Sequence, residues 1–211
     1  MNHVKLGFAL LLLVAGVFVS GCVAPPQAKD YSELRKSNLH SILVLPPINE
    51  TTEVGATYSV LTTVTRPLAE LGYYVFPVVM VDHFLKENGL TIANDMHQAP
   101  LQKLHEVFGA DAVLYITVEK YGSKYQLLAA NTFVYLRAKL VDCRTGVLLW
   151  EGRAETIFQG QSGVLEALVT QVLNKLTDQA HGVAAMASYQ LLTIPGQGIP
   201  KGPRHSEHGK E

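Results

Sequence analysis

Asn49, Glu50 and Glu53 are polar residues whose position favours ligand binding. They follow the apolar run Ile42–Leu45, which predicts a buried strand. If the next strand of the chain is parallel to this one, the loop after it, at Val79–Asp82, emerges at the same edge of the sheet. Open α/β sheets bind their ligands at that edge, so the three side chains would line the rim of a ligand site. The alternative is a solvated loop that binds nothing.

Other groupings of reactive residues favour structural roles. A phosphate-binding loop needs several glycines and a lysine, which this loop lacks, and no G-x-S-x-G nucleophile motif occurs. Zinc needs clustered ligands, and only His205 and His208 lie close enough in the chain to hold a metal weakly. Glu151 and Glu155 flank Arg153 on a predicted strand, a pattern more typical of an exposed, salt-bridged sheet face than of a general acid and base. The sequence therefore predicts no catalytic residue, no metal site and no small-molecule cofactor.

Hydrophobic periodicity predicts the elements that must hold these residues. Strands are predicted over residues 40–45, 73–79, 112–120, 132–142 and 147–157. Helices are predicted over residues 58–71, 81–88, 100–108 and 161–192. Strands alternate with helices in the first half, which favours a partly parallel sheet, whereas the residues from Asp142 to Gly146 close a hairpin in the second. We therefore predict an α/β (α+β) fold: a mixed sheet of about five strands with helices packed on it, and a C-terminal β-hairpin followed by a long amphipathic helix.

The chain divides into four predicted segments. Residues 1–21 form a signal peptide, residues 22–38 a polar tether, residues 39–192 a single globular domain and residues 193–211 a disordered tail. The length of the domain is ordinary for one hydrophobic core. The tail is predicted to be disordered because it combines three prolines and four glycines with few apolar residues.

The leader ends in Val19-Ser20-Gly21-Cys22, which resembles the lipobox of bacterial lipoproteins. Lys5 precedes an uncharged apolar segment of 14 residues. As a helix this segment spans roughly 21 Å, too short for the ~30 Å core of a bilayer, so a cleaved signal is predicted. The resemblance implies cleavage between Gly21 and Cys22, a diacylglycerol in thioether linkage to Cys22 and an amide-linked fatty acid such as palmitate. An ordinary signal peptide with an incidental cysteine is the alternative.

The lipobox also implies a location. Three acyl chains would form a durable membrane anchor. Val23 follows the cysteine, where an Asp tends to retain enteric lipoproteins in the inner membrane. The expected location is therefore the outer membrane, with the domain facing the periplasm; exposure at the cell surface is the alternative.

Composition excludes several classes of partner. The chain has 17 Lys and Arg against 18 Asp and Glu, a formal net charge of −1, so it lacks the basic surplus typical of nucleic-acid-binding proteins. It also lacks a polybasic run that would bind a membrane electrostatically. With Cys22 bound to lipid, Cys143 is the only remaining thiol, so an intrachain disulfide cannot form. Cys143 lies in a predicted turn without a Cys-His signature, which favours a structural cysteine over a nucleophile.

Four stretches resemble a family of bacterial lipoproteins of unknown function, which includes a neisserial lipoprotein studied as a vaccine antigen. They are residues 42–52, 71–77, 108–115 and 141–150, and the resemblance covers roughly residues 22–192. More remotely, this family is similar to the curli secretion lipoprotein CsgG, the penicillin-binding-protein activator LpoB and the N-terminal domain of TolB. These similarities imply an α/β domain with a mixed sheet and a role in envelope protein assembly. They supply no catalytic residue.

Three functions are left open at this point. The first is a lipid-anchored, non-enzymatic module that binds other envelope proteins, or copies of itself, in an envelope or secretion complex. The second is an activator of a peptidoglycan synthase, as LpoB would imply. The third is an enzyme whose site the sequence does not reveal.

Overall fold

The computed structural model describes residues 29–126, 129–161 and 179–210. Its strands are β1 (Ser41–Val44), β2 (Ile48–Asn49), β3 (Tyr74–Val75), β4 (Ala112–Gln126), β5 (Ala129–Asp142) and β6 (Leu148–Gln161). Its helices are α1 (Ser32–Lys36), α2 (Ala56–Thr63), α3 (Thr65–Glu70), α4 (Val78–Glu87), α5 (Ala93–Met96), α6 (Leu101–Phe108) and α7 (Gln179–Thr193). The predicted signal peptide, the predicted lipidation residue Cys22, residues 22–28 of the predicted tether and residues 162–178 of the predicted long helix lie outside the described residues.

The strands form one mixed sheet in the order β3-β1-β4-β5-β6, with β2 pairing with β4. β1 is parallel to both β3 and β4, whereas β4, β5 and β6 form an antiparallel meander. The predicted mixed fold is confirmed, with one strand more than expected. That strand, β2, lies in a stretch predicted to be a loop, and it forms because Ile48 and Asn49 pair with Thr117 and Val118.

Helices cover the two faces of the sheet unequally. On one face, α2, α3 and α7 pack on a core that includes Ile42, Leu114 and Leu136. On the other face, α4 and α6 cover Leu43 and Val113. Successive side chains of a strand point to opposite faces. The inner strands β1 and β4 are therefore buried on both sides, while the described helices cover much of β5 and β6 on one side only.

The predicted hairpin is confirmed, and its strands are longer than expected. Asp142 Oδ1 accepts hydrogen bonds from the N–H groups of Arg144 (2.9 Å) and Thr145 (2.8 Å). β4, β5 and β6 have 15, 14 and 14 residues, whereas strands usually have roughly 3–10. Pairing continues through polar residues, such as the Ser123 and Thr132 hydroxyls 2.7 Å apart. These residues lack the apolar alternation from which a strand is predicted.

Prolines move two predicted boundaries. The helix predicted over residues 58–71 is divided into α2 and α3 at Val64, because Pro67 has no N–H to donate to the carbonyl of Thr63. The strand predicted over residues 73–79 shortens to β3, and α4 begins directly after Pro77. The long helix is predicted to begin at Gln161, but Gln161 is the last residue of β6. The described part of that helix is α7.

The structure corrects the prediction of a disordered tail. Residues 194–210, the C-terminal strap, pack along the domain. Ile199 is only 3% exposed, and the Gly202 N–H donates to the Leu71 carbonyl at 2.7 Å. A Cβ at Gly202 would lie 2.8–2.9 Å from the Tyr73 ring, so only glycine fits there. Composition alone fails here because the strap obtains its partners from residues far away in the sequence.

The predicted tether is also shorter than expected. Residues 29–38 belong to the domain: α1 lies within them, and Leu34 is buried in the main core. The Tyr31 hydroxyl donates to the Gly198 carbonyl at 2.8 Å. This end of the chain therefore packs against the C-terminal strap, which polar composition could not reveal.

Candidate interaction surface

Among the described residues, no helix covers one face of β5 and β6, and this face carries a network of charged side chains. Leu136 and Ala138 point towards α7, so their neighbours Arg137 and Lys139 point to the opposite side of β5. Exposed residues of β6 lie beside them. We call this surface the open face; its charged members are Glu119, Arg137, Lys139, Glu151, Arg153 and Glu155.

Glu119 holds two arginines together on the open face. Arg137 and Arg153 are direct cross-strand partners, an arrangement of like charges that destabilises a sheet. The Glu119 carboxylate lies 3.1 Å from Arg137 Nε and 2.6 Å from Arg153 Nη2. The register of β4 shifts between Val118 and Lys120, and such a bulge re-aims the side chain beside it. Both arginines are more than half exposed to solvent, so each ion pair contributes about 0–1 kcal/mol. The network therefore organises the surface more than it stabilises the fold.

β6 is a long edge strand, and the hydrogen-bonding pattern shows which of its backbone groups are free. The carbonyls of Leu114 and Val118 in β4 accept bonds from the N–H groups of Leu45 and Glu50, the residues that directly follow β1 and β2. Because Leu114 pairs with Leu140 and Leu140 with Trp150, alternation directs the backbone groups of odd-numbered β6 residues to the outer edge. Within the described part of the chain, no strand pairs with that edge. An unpaired edge is a template for another strand.

The free edge changes character along its length. At the end of the edge nearest the hairpin turn, the Lys29 ammonium donates to the Glu151 carbonyl. Arg153 and Glu155 follow, and Ile157 and Phe158 are exposed further along. The edge therefore offers backbone groups, charges and apolar side chains in sequence.

Asn49, Glu50 and Glu53, the three predicted ligand residues, lie at or just after β2, which pairs with the middle of β4. Asn49 Oδ1 accepts bonds from the Thr51 N–H and hydroxyl at 2.9 and 2.8 Å, and its Nδ2 donates to the Glu53 carbonyl at 2.8 Å. Glu50 lies 3.8 Å from Arg137, at the margin of the open face. Asn49 thus stabilises its own loop, and Glu50 joins the charged network. Ligand binding by these residues stays a prediction.

Sequence reasoning missed Glu119, Arg137 and the free edge of β6. Tyr135, Arg137 and Lys139 alternate along β5 with the apolar residues Leu136, Ala138 and Leu140. This alternation indicates that one face of β5 meets solvent. The pairing of Glu119 with Arg137 and Arg153 depends on strand register, which alternation does not specify.

An open groove of ≈ 960 Å³ runs along the opposite edge strand, β3. Its charged side chains are already engaged: Arg66 pairs with Glu70 at 2.8 Å, and the Arg204 guanidinium lies 5.7 Å from the centre of the Tyr74 ring. Among the described residues, no group of three or more His, Cys, Asp or Glu is placed to hold a metal ion. The His205 Nδ1 accepts the Glu207 N–H at 3.1 Å, and the His208 Nδ1 donates to the Lys201 carbonyl at 2.6 Å.

Comparison with known proteins identifies the family. The family model described as "Putative lipoprotein GNA1162-like" matches residues 29–204. The chain belongs to the GNA1162-like lipoprotein family. The match begins at Lys29, the first described residue, and includes much of the C-terminal strap. Residues 29–38 and the matched part of the strap therefore belong to the family's domain. The resemblance drawn from the four sequence stretches is confirmed.

Individual relatives of this GNA1162-like lipoprotein agree with that assignment. "Putative lipoprotein NMB1124/NMB1162" of Neisseria meningitidis serogroup B is 45% identical over 207 residues, covering 94% of this chain and 96% of the relative. The crystal structure of lipoprotein GNA1162 from Neisseria meningitidis is 46% identical, with a TM-score of 0.55, covering 66% of this chain and 99% of that one. The LpoB C-terminal domain from Salmonella enterica is 18% identical with a TM-score of 0.38, covering 59% of this chain and 84% of that one. That likeness is too distant to carry a functional argument.

Two further facts bear on this GNA1162-like protein. In the parts of the chain that the structure describes, no helix has the length and apolar character needed to cross a bilayer.

Cys143 is 2% exposed, and its N–H donates to the Asp111 carbonyl at 2.8 Å. Burial, together with the nearby carboxylates of Asp142 and Asp111, raises the pKa of the Cys143 thiol to about 12. A nucleophilic cysteine needs a lowered pKa.

We expect Cys143 to be inert in the folded protein. At pH 8 a thiol with this pKa is thiolate in only about one molecule in 10⁴, against roughly a quarter for a free cysteine of ordinary pKa. Alkylation of a Cys22→Ala variant by a maleimide should therefore be at least about 1000-fold slower in buffer than in denaturant. Comparable rates under the two conditions would show that Cys143 is accessible and reactive.

Proposed function

We propose that this protein is anchored by lipid at Cys22 in the bacterial outer membrane, faces the periplasm and acts as a non-enzymatic module that binds other envelope proteins. Membership of a lipoprotein family supports the anchor. The observation that carries the binding role is the free edge of β6 beside the open face.

Strand addition explains how this surface would bind a partner. A partner strand laid against β6 would bond to the outward N–H and C=O groups of Arg153, Glu155 and Ile157. Main-chain bonds of this kind supply affinity, while neighbouring side chains supply specificity. The charges of the open face and the apolar Ile157 and Phe158 would select the partner.

A binding role fits the chemistry of the described residues better than catalysis does. The buried thiol of Cys143 is held protonated by its raised pKa. The carboxylates of Glu119 and Glu155 are paired with arginines. Asn49 is engaged in holding its own loop. None of these groups is prepared to donate or accept a proton during a reaction.

Self-association is supported by the charge pattern of β6. In an antiparallel pairing of two β6 strands centred on Ala154, Arg153 of each copy lies opposite Glu155 of the other. Both residues direct their backbone groups to the edge and their side chains to the open face. Opposite charges in direct cross-strand pairs each contribute about 0.2–1 kcal/mol. The same edge would thus accept a second copy of this chain or a partner with a similar strand.

The proposal predicts which proteins are recovered with this lipoprotein from crosslinked cells. The wild-type chain should return envelope proteins, and Cys22→Ala should lose them because the unanchored protein is not held beside them. Ile157→Lys should reduce recovery several-fold, since a lysine on an edge strand opposes strand addition.

Val107→Lys is a matched control for the β6 change. Val107 on α6 is 52% exposed and Ile157 is 54% exposed, so the two variants introduce the same charge at equal exposure. Val107→Lys should recover partners as the wild type does. Recovery of no envelope protein above the level of Cys22→Ala would contradict the proposed function.

A further inference from the structure

The chain enters the described domain at a well-defined place beside β6. The Lys29 ammonium donates to the Glu151 carbonyl and lies 5.0 Å from the centre of the Trp150 ring. Tyr31 bonds to the C-terminal strap, and Leu34 is buried in the core. From Lys29 onwards the chain is therefore attached to the domain, and it cannot serve as a flexible spacer.

Only residues 22–28 are left to connect the domain to lipid at Cys22. Seven residues span at most about 25 Å when fully extended. The tether predicted from composition, residues 22–38, would have spanned about 50 Å or more. The attachment point on the domain is thus confined to a layer close to the bilayer.

The long strands place the other end of the sheet beyond this reach. Glu151 pairs with Lys139, and Gln161 pairs with Ala129 at the far end of the β5–β6 ladder. The two levels are ten residues apart, which is about 33 Å along a strand. A bilayer in contact with the far end, with the strands upright, would require Lys29 to stand farther from the membrane than the linker allows.

The near end carries a surface suited to lying against lipid. Val147 and Leu148, where β6 begins, are half-exposed apolar residues. Leu148 is three residues from Glu151, or about 10 Å along the strand. Arg144 Nη2 donates to the Ser37 carbonyl at 3.1 Å, so the hairpin turn lies beside α1.

Electrostatic attraction does not set this orientation. The cations at the near end are Lys29, Arg35, Lys36, Lys139 and Arg144, and the anions are Asp30, Glu33, Asp111, Asp142 and Glu151. Their formal charges cancel. The short linker is therefore the cause, and the apolar pair contributes the contact with the headgroup region.

We propose that the surface formed by α1, the hairpin turn at residues 142–147 and Leu148 faces the lipid bilayer. The far end of the β4–β5–β6 meander and the free edge of β6 above Arg153 then point away from the membrane, where partners reach them. Antiparallel pairing points the hairpin turns of two copies in opposite directions, so two copies held on one bilayer in this orientation do not pair through β6. On the membrane the partner strand then comes from another protein, and the pair of two copies forms only when they are not both anchored in this way. This inference rests on the proposed lipidation of Cys22.

Headgroup quenching tests the orientation directly. Lipidated protein is reconstituted in phosphatidylcholine vesicles containing a lipid with a nitroxide on its headgroup. A fluorophore is attached at Thr145→Cys, in the turn, or at Gln159→Cys, near the far end of β6; both positions are exposed. Because Cys22 carries lipid and Cys143 is buried, each probe labels one site. We expect quenching at position 145 to be at least about threefold stronger than at position 159.

The outcomes separate the orientation from the anchoring. Equal quenching at the two positions, or stronger quenching at 159, on protein that sediments with the vesicles would overturn the orientation alone. Failure of the lipid-bearing chain to sediment with vesicles would overturn the anchoring and the orientation together. Insertion of twenty Gly and Ser residues after Ala28 should bring the quenching ratio close to one. An unchanged ratio would show that the short linker is not the cause.

Discussion

Replacing Ile199 by alanine is expected to lower the free energy of unfolding by about 2–4 kcal/mol. Ile199 is the apolar anchor of the C-terminal strap: it is 3% exposed, and its N–H donates to the Leu192 carbonyl at 2.8 Å. Truncation leaves a cavity where the strap meets α7. A loss of this size is a large fraction of the stability of an ordinary domain, about 5–15 kcal/mol. Urea unfolding of the mature chain carrying Cys22→Ala would measure it.

Ile194→Ala is the matched control, because the same substitution is made five residues earlier in the strap. Ile194 is 46% exposed, so its truncation should cost less than about 1 kcal/mol. Equal, small effects at both positions would mean that the strap does not pack as described. Removing residues 194–211 should destabilise the domain more than Ile199→Ala does. The deletion also takes away the carbonyl acceptors of Tyr31, Tyr73 and Trp150.

The second large effect is expected at the free edge of β6. If two copies pair there, Arg153→Glu places glutamate opposite glutamate twice, and Glu155→Arg places arginine opposite arginine twice. With each pair changing by about 1 kcal/mol or more, either variant should weaken self-association at least about 30-fold. Analytical ultracentrifugation of the mature, unlipidated chain carrying Cys22→Ala, at low ionic strength, would measure the dissociation constants.

Charge complementarity supplies the controls for this experiment. The double variant with Arg153→Glu and Glu155→Arg restores opposite charges in both pairs, so it should associate as the wild type does. An equimolar mixture of the two single variants should also associate, since each copy then supplies the charge that the other lacks. If Arg153→Glu alone associates like the wild type, the proposed pairing is wrong. The loss of the Arg153–Glu119 contact costs only about 0–1 kcal/mol, because Arg153 is more than half exposed and Glu119 keeps its contact with Arg137, so the single variant should remain folded.

The strap shows how composition can mislead. Its glycines and prolines lack the periodicity of a helix or strand, so the sequence predicts disorder. In the structure its backbone bonds to Leu71 and Leu192, and its Gly202 admits the Tyr73 ring.

The sequence by itself determined the features that depend on neighbouring residues. The lipobox-like motif before Cys22, the Asp142–Gly146 turn and the mixed fold class all follow from residue types within a few positions of each other. A turn is closed by its own side chains and glycine, and periodicity of three to four or of two residues is a local property.

Only the tertiary structure decided the free edge of β6, the network around Glu119, the packed strap and the attachment of residues 29–38 to the domain. Glu119 meets Arg137 and Arg153 through strand register, and β6 is an edge because of strand order. Both depend on contacts between residues tens of positions apart, whose cost in chain entropy is repaid only when the whole sheet has formed. No local pattern records such contacts, so the surfaces on which the proposed function depends become visible only in the folded chain.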